Sequence, residues 1–153
     1  MFDLRPSENL KTMEELSTLR SYLEEGKYED AILLINELEE MSKEDKLNKI
    51  DSYATILLIH LIKQAAEGRT TRSWTNSINF TVREIKKTNN RRKAGGRYAD
   101  TATLKVILEE AYPLALAKAA EESFEGIYQD AELEQKYAKA EVLQKALALI
   151  DDV

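Results

Sequence analysis

The sequence holds one histidine, His60, and Lys63 follows it at i, i+3, so a helix puts both on one face. An imidazole and an ammonium so placed can pass a proton or hold a phosphate, with Trp74 close enough in sequence to stack on a ligand. The same pair also suits a bundle interior. There His60 bonds a carboxylate or carbonyl, and Lys63 runs its methylenes along apolar surface toward water. The interior reading is the expectation, so no catalytic residue is assigned; His60 and Lys63 are the candidates if one exists. Arg83 paired with His60, as a helical ribonuclease would need, has no spacing that recommends it.

Other chemistry has less support. With no cysteine, there is no disulfide, thiol nucleophile or cysteine-held metal. One histidine leaves carboxylates such as Glu37, Glu40, Glu121 and Glu122 as the remaining ligands, and these suit solvated helix faces. The paired Glu-x-x-His motifs of di-iron bundles are missing, so neither metal nor cofactor is expected. G-x-S-x-G, a phosphate-cradling P-loop and G-x-G-x-x-G are missing as well.

Charge is the other candidate signal. The net charge is −6, yet residues 69–97 hold nine basic side chains against Glu84 alone, which makes that segment +8 and the rest −14. Lys86, Lys87, Arg91, Arg92, Lys93 and Arg97 are the expected contacts for nucleic acid or an acidic partner. The protein's own acidic helices are the third taker for this charge.

The elements that must position these residues are helical. Gly and Pro are scarce, and Ala, Leu, Glu and Lys abound, residues that lose little entropy in a helix. Hydrophobic residues make up 43% and charged residues 33%, enough apolar content to enclose a core. Residues 1–11 read as a leader. Thr12-x-x-Glu15 has capping-box spacing and opens a helix that Gly26 stops. A second helix runs from about Glu29 to Met41. The turn Gly26-x-Tyr28-x-x-Ala31 resembles that of a tetratricopeptide repeat, but Lys43 stands where that repeat places Pro, and no second copy follows. Ser42 is the expected cap of a third helix, about Lys43 to Glu67, apolar nearly all round from Ile56 to Ile62. A fourth spans about Trp74 to Thr88, with Trp74, Ile78, Val82 and Ile85 on one face and Phe80 off it; Asn89 and Asn90 are its C-cap candidates. The loop RRKAGGRYAD follows. A fifth helix runs from Thr101 or Thr103 to about Phe124, with a kink expected at Pro113. A sixth, 131–150, carries Leu133, Tyr137, Ala140, Leu143, Leu147 and Ile150 at heptad spacing, and packs on the bundle or on a partner.

The order of several segments resembles the bacterial, mainly cyanobacterial, DUF29 family. Ile59-His60-Leu61-Ile62-Lys63 is similar to its HLLK stretch, and Ser73-Trp74-x-x-Ser77-Ile78 to its SW-x-x-[ST]-I helix. Leu108-Glu109-Glu110-Ala111-Tyr112 and Ala119-Ala120-Glu121-Glu122 look like its EEAY and AAEET segments, and Leu23 to Met41 resembles its upstream segment. The sequence departs from the pattern at Val82, where the family often has Arg, and after Gly126, where a charged helix replaces a proline-rich ending. The resemblance implies a helical bundle and implies no activity.

The expectation is therefore a single all-α domain over 1–153: an up-and-down bundle of five or six helices with a four-helix core, cytoplasmic, with no membrane span and no cofactor. The expected function is non-enzymatic interaction or regulation, with a protein partner or a homo-oligomer. Nucleic-acid binding through 69–97 is the alternative, and a hydrolase using His60 the third.

Overall fold

The computed structural model describes residues 6–91 and 95–151. The chain is all-α, with six α-helices among the described residues: α1 Pro6–Glu24, α2 Tyr28–Glu67, α3 Arg72–Asn89, α4 Thr101–Glu122, α5 Asp130–Glu134 and α6 Lys139–Ile150. A short 3₁₀ turn, Ser123–Gly126, follows α4. Two compact units divide the chain, Met1–Glu44 and Asp45–Val153.

Three boundaries differ from the sequence reading. Helix α1 starts at Pro6, so residues 6–11 of the leader are helical; proline suits a first turn, where its missing N–H has no partner to lose. The break expected at Ser42 does not occur, and α2 runs unbroken for 40 residues. A capping hydroxyl offers the backbone an alternative bond but neither removes a donor nor clashes, so good helix formers on both sides carry the helix through. Conversely, the helix expected over 131–150 breaks between Glu134 and Lys139. Nothing at 135–138 is a strong breaker. The tertiary bond of Tyr137 to Tyr112 holds the turn, and the buried register of α6 becomes Val142, Ala146 and Ile150.

The unit Asp45–Val153 contains the four-helix core. The C-terminal half of α2 contributes Ile50, Leu57, Leu58 and Ile62; α3 contributes Ile78 and Ile85; α4 contributes Leu104, Leu108 and Ala115. Helix α6 lies against α3 and α4. Small side chains at Ala111, Ala115 and Ala119 form a buried stripe on α4 that admits its neighbours closely. The helix continues through Pro113, which is exposed, and ends where Phe124 and Glu125 take left-handed φ of 49° and 59°. Non-glycine residues pay of order 1–2 kcal/mol each in that region. Phe124 is held there by an edge-on contact with Tyr128 at 5.3 Å and by the Lys136 ammonium above both rings.

The other unit pairs α1 with the first turns of α2 across a turn at Gly26, whose φ of +75° suits glycine. Leu19, Tyr22, Leu34 and Leu38 are half-buried there, and Ala31 is buried.

Candidate functional site

The ends of α3 and α4 fix the basic segment. Thr71 caps α3 by accepting from the Trp74 N–H at 3.1 Å, and Asp100 caps α4 by accepting from the Thr103 N–H at 2.8 Å. Asn89, expected as a C-cap, does something else. Its buried amide donates to the Ala99 carbonyl (3.0 Å) and accepts from the Ala99 N–H (2.7 Å), clamping the far end of the loop to the end of α3. Asn90 is the cap. The chain then reverses through Gly95 and Gly96, whose φ of 73° and 75° other residues rarely adopt, and an antiparallel bridge joins Asn90 to Arg97.

This clamp leaves a groove of about 350 Å³ between α2 and α3, lined by Lys46, Lys49, Tyr53, Glu84, Lys87 and Tyr98, with Thr88 and Asn90 at its margin. The lining includes three lysines and one carboxylate, Glu84. Arg91 stands 5.6 Å from the Tyr98 ring. On the opposite side Tyr53 meets Phe80 edge-on at 6.2 Å, and Arg83 lies 5.7 Å from Phe80. Ile56, one turn beyond Tyr53, and Phe80 are exposed, so an aromatic and aliphatic edge continues the groove.

The expected contacts are therefore dispersed. Lys87 lines the groove, Arg91 flanks it and Lys86 is half-buried on α3. Arg92 and Lys93 lie outside the described residues. Arg97 bonds the Asp151 carboxylate, which also accepts from the Thr101 hydroxyl at 2.8 Å. The Thr101 hydroxyl first, and then the Arg97 guanidinium, hold the Asp151 carboxyl below its ordinary value. Arg69 pairs with Glu67 at 2.9 Å. Two of the segment's cations, Arg69 and Arg97, are thus met by the protein's own carboxylates. Lys46 and Lys49 were missed because Glu44, Asp45 and Asp51 dilute them in sequence. Their i, i+3 spacing, with Tyr53 one turn after Lys49, is the signal that marks one face.

His60 and Lys63 have separate partners. The half-buried imidazole donates from Nδ1 to the Ile56 carbonyl at 2.8 Å, one helical turn back. Lys63 does not reach outward. It is buried, with Nζ 2.8 Å from Glu122 Oε1 and 4.8 Å from the centre of the Trp74 ring, while the Arg69 guanidinium lies 4.8 Å from the same ring. This arrangement ties α2, α3 and α4 together. A third polar cluster joins Tyr112, which donates to Glu134 at 2.7 Å, to Tyr137, which donates to Tyr112. Burial first, and then the Glu134 bond, push the Tyr112 phenol far up; burial raises Tyr137 as well. Both stay neutral at physiological pH.

Among the described residues no helix is long and apolar enough to cross a membrane. No curated protein and no solved structure matches this chain. A family model described as "Domain of unknown function DUF29" matches residues 12–147, nearly the whole length, and takes in the His60–Lys63 and Ser73–Ile78 segments as well as both helices of the groove: the chain belongs to the DUF29 family.

Proposed function

We propose that this chain is a non-enzymatic interaction domain that receives an acidic protein segment on the groove between α2 and α3. One observation carries the reading: three lysines line the groove beside an edge of half-buried Tyr53 and exposed Phe80 and Ile56. Cations alone favour any polyanion, whereas cations beside an apolar strip favour an amphipathic acidic segment, whose apolar face needs cover. His60, bonded to its own helix, has no part in this reading.

The test is fluorescence anisotropy with a labelled, glutamate-rich amphipathic peptide. Binding is expected to weaken with salt and to fall at least about tenfold in Lys46→Glu/Lys87→Glu. Binding unchanged by that pair of reversals would reject the groove. Nucleic-acid binding remains the second reading, favoured by Arg91 beside Tyr98 and by Tyr53 in the same groove, since rings and cations together hold single strands. A labelled single-stranded oligonucleotide that binds where the peptide does not would decide for it.

A further inference from the structure

We infer that the acidic segment is the Met1–Glu44 unit of a second copy of this chain, an identification that rests on the interaction reading above. The first 44 residues hold twelve acidic and five basic side chains, a net −7, while the remaining 109 carry +1. Among residues 14–44 of this unit Ala31 alone is buried. Two helices cannot enclose a core by themselves, and large side chains are left in water. Tyr28 (64% exposed), Ile32 (58%) and Ile35 follow one another at i, i+4, i+7 and form one stripe on α2. Glu39 continues that stripe, with Glu29 and Glu40 alongside. Leu16 and Leu23, also exposed, form a second stripe on α1.

The chemistry of this stripe is the counterpart of the groove. Apolar residues bordered by carboxylates on one unit correspond to Tyr53, Phe80 and Ile56 bordered by Lys46, Lys87 and Arg83 on the other. Contiguous apolar side chains edged by charge mark protein contacts rather than ordinary surface. Charge also selects among the ways two copies can meet. Stripe against stripe sets −7 against −7, a repulsive encounter, whereas stripe against groove is attractive. Each copy therefore both offers a stripe and receives one.

The experiment is sedimentation of the full chain over a concentration and salt series, with two variants at exposed or groove-lining positions. Wild type should self-associate at low salt and dissociate as salt rises. Ile32→Glu/Ile35→Glu, which spoils the stripe, and Lys46→Glu/Lys87→Glu, which spoils the groove, should each weaken association at least about tenfold. Mixing the two variants should restore a complex, because the first retains an intact groove and the second an intact stripe. Wild type that stays monomeric throughout, association that survives the groove variant, or no rescue on mixing would each overturn the inference. Monomeric wild type that still binds the glutamate-rich peptide would leave the interaction reading standing without it.

Discussion

Asn89→Ala is the perturbation that separates a positioned groove from an accidental one. The Asn89 side chain and Ala99 are both buried, and the amide satisfies both the N–H and the carbonyl of Ala99. Truncation removes two hydrogen bonds, each worth about 0.5–1.5 kcal/mol net, and strands two backbone groups in a site closed to water. The loss is therefore about 3 kcal/mol, the larger part of it from the stranded groups. Trp74, the sole tryptophan, lies in the same unit, so its fluorescence during urea unfolding reads this change directly. Asn89→Asp is the control. It keeps an acceptor for the Ala99 N–H but turns a second oxygen toward the Ala99 carbonyl, so at neutral pH it should cost at least as much. Both variants free the loop end that carries Arg91 and Tyr98, and peptide binding in the groove should weaken with stability. If both variants unfold within about 0.5 kcal/mol of wild type, the clamp neither holds the loop nor positions Tyr98 at the groove between α2 and α3.

Three further variants probe the polar contacts of Lys63 and Asp151. Glu122→Ala leaves the buried Lys63 ammonium with the Trp74 ring alone and should cost about 1–2 kcal/mol, since Glu122 is itself half exposed. Lys63→Met keeps the shape and removes the charge, so it should cost less; the reverse order in urea unfolding would contradict the assignment. Asp151 titrates below its ordinary value in the folded chain, so its contribution is complete above about pH 4 and disappears as pH falls through the lowered folded value. Asp151→Asn should therefore flatten the acid limb of a thermal stability profile, and an unchanged limb would show that the Thr101 and Arg97 bonds carry no linkage.

The helical core was legible because its signal is periodic and local. Trp74, Ile78 and Ile85 on α3, and Leu104, Ile107, Leu108 and Ala111 on α4, recur at helical spacing and are buried as that spacing implies. The two misjudged interruptions share one cause. Ser42 carries the chemistry of a cap, but nothing near it prevents a helix from continuing, whereas residues 135–138 carry no breaker and stop because Tyr137 finds a partner 25 residues away. A capping residue permits an end, and a tertiary bond imposes one.

The same distinction governs the charge. A window over 69–97 counts cations without knowing where their counter-ions lie. Arg97 finds Asp151, 54 residues on, and Arg69 finds Glu67 beside it. A window centred on Lys46 and Lys49 reads as neutral, yet folding turns those lysines to one side of α2, opposite Lys87 on α3. Net charge along the chain therefore misses the groove, overstating the ends of 69–97 and understating α2. The surface that matters is set by which carboxylates the core has already brought to which cations. For this chain the proposed contact therefore lies on α2, the helix that carries His60, but on the face bearing Lys46, Lys49 and Tyr53 rather than on the histidine.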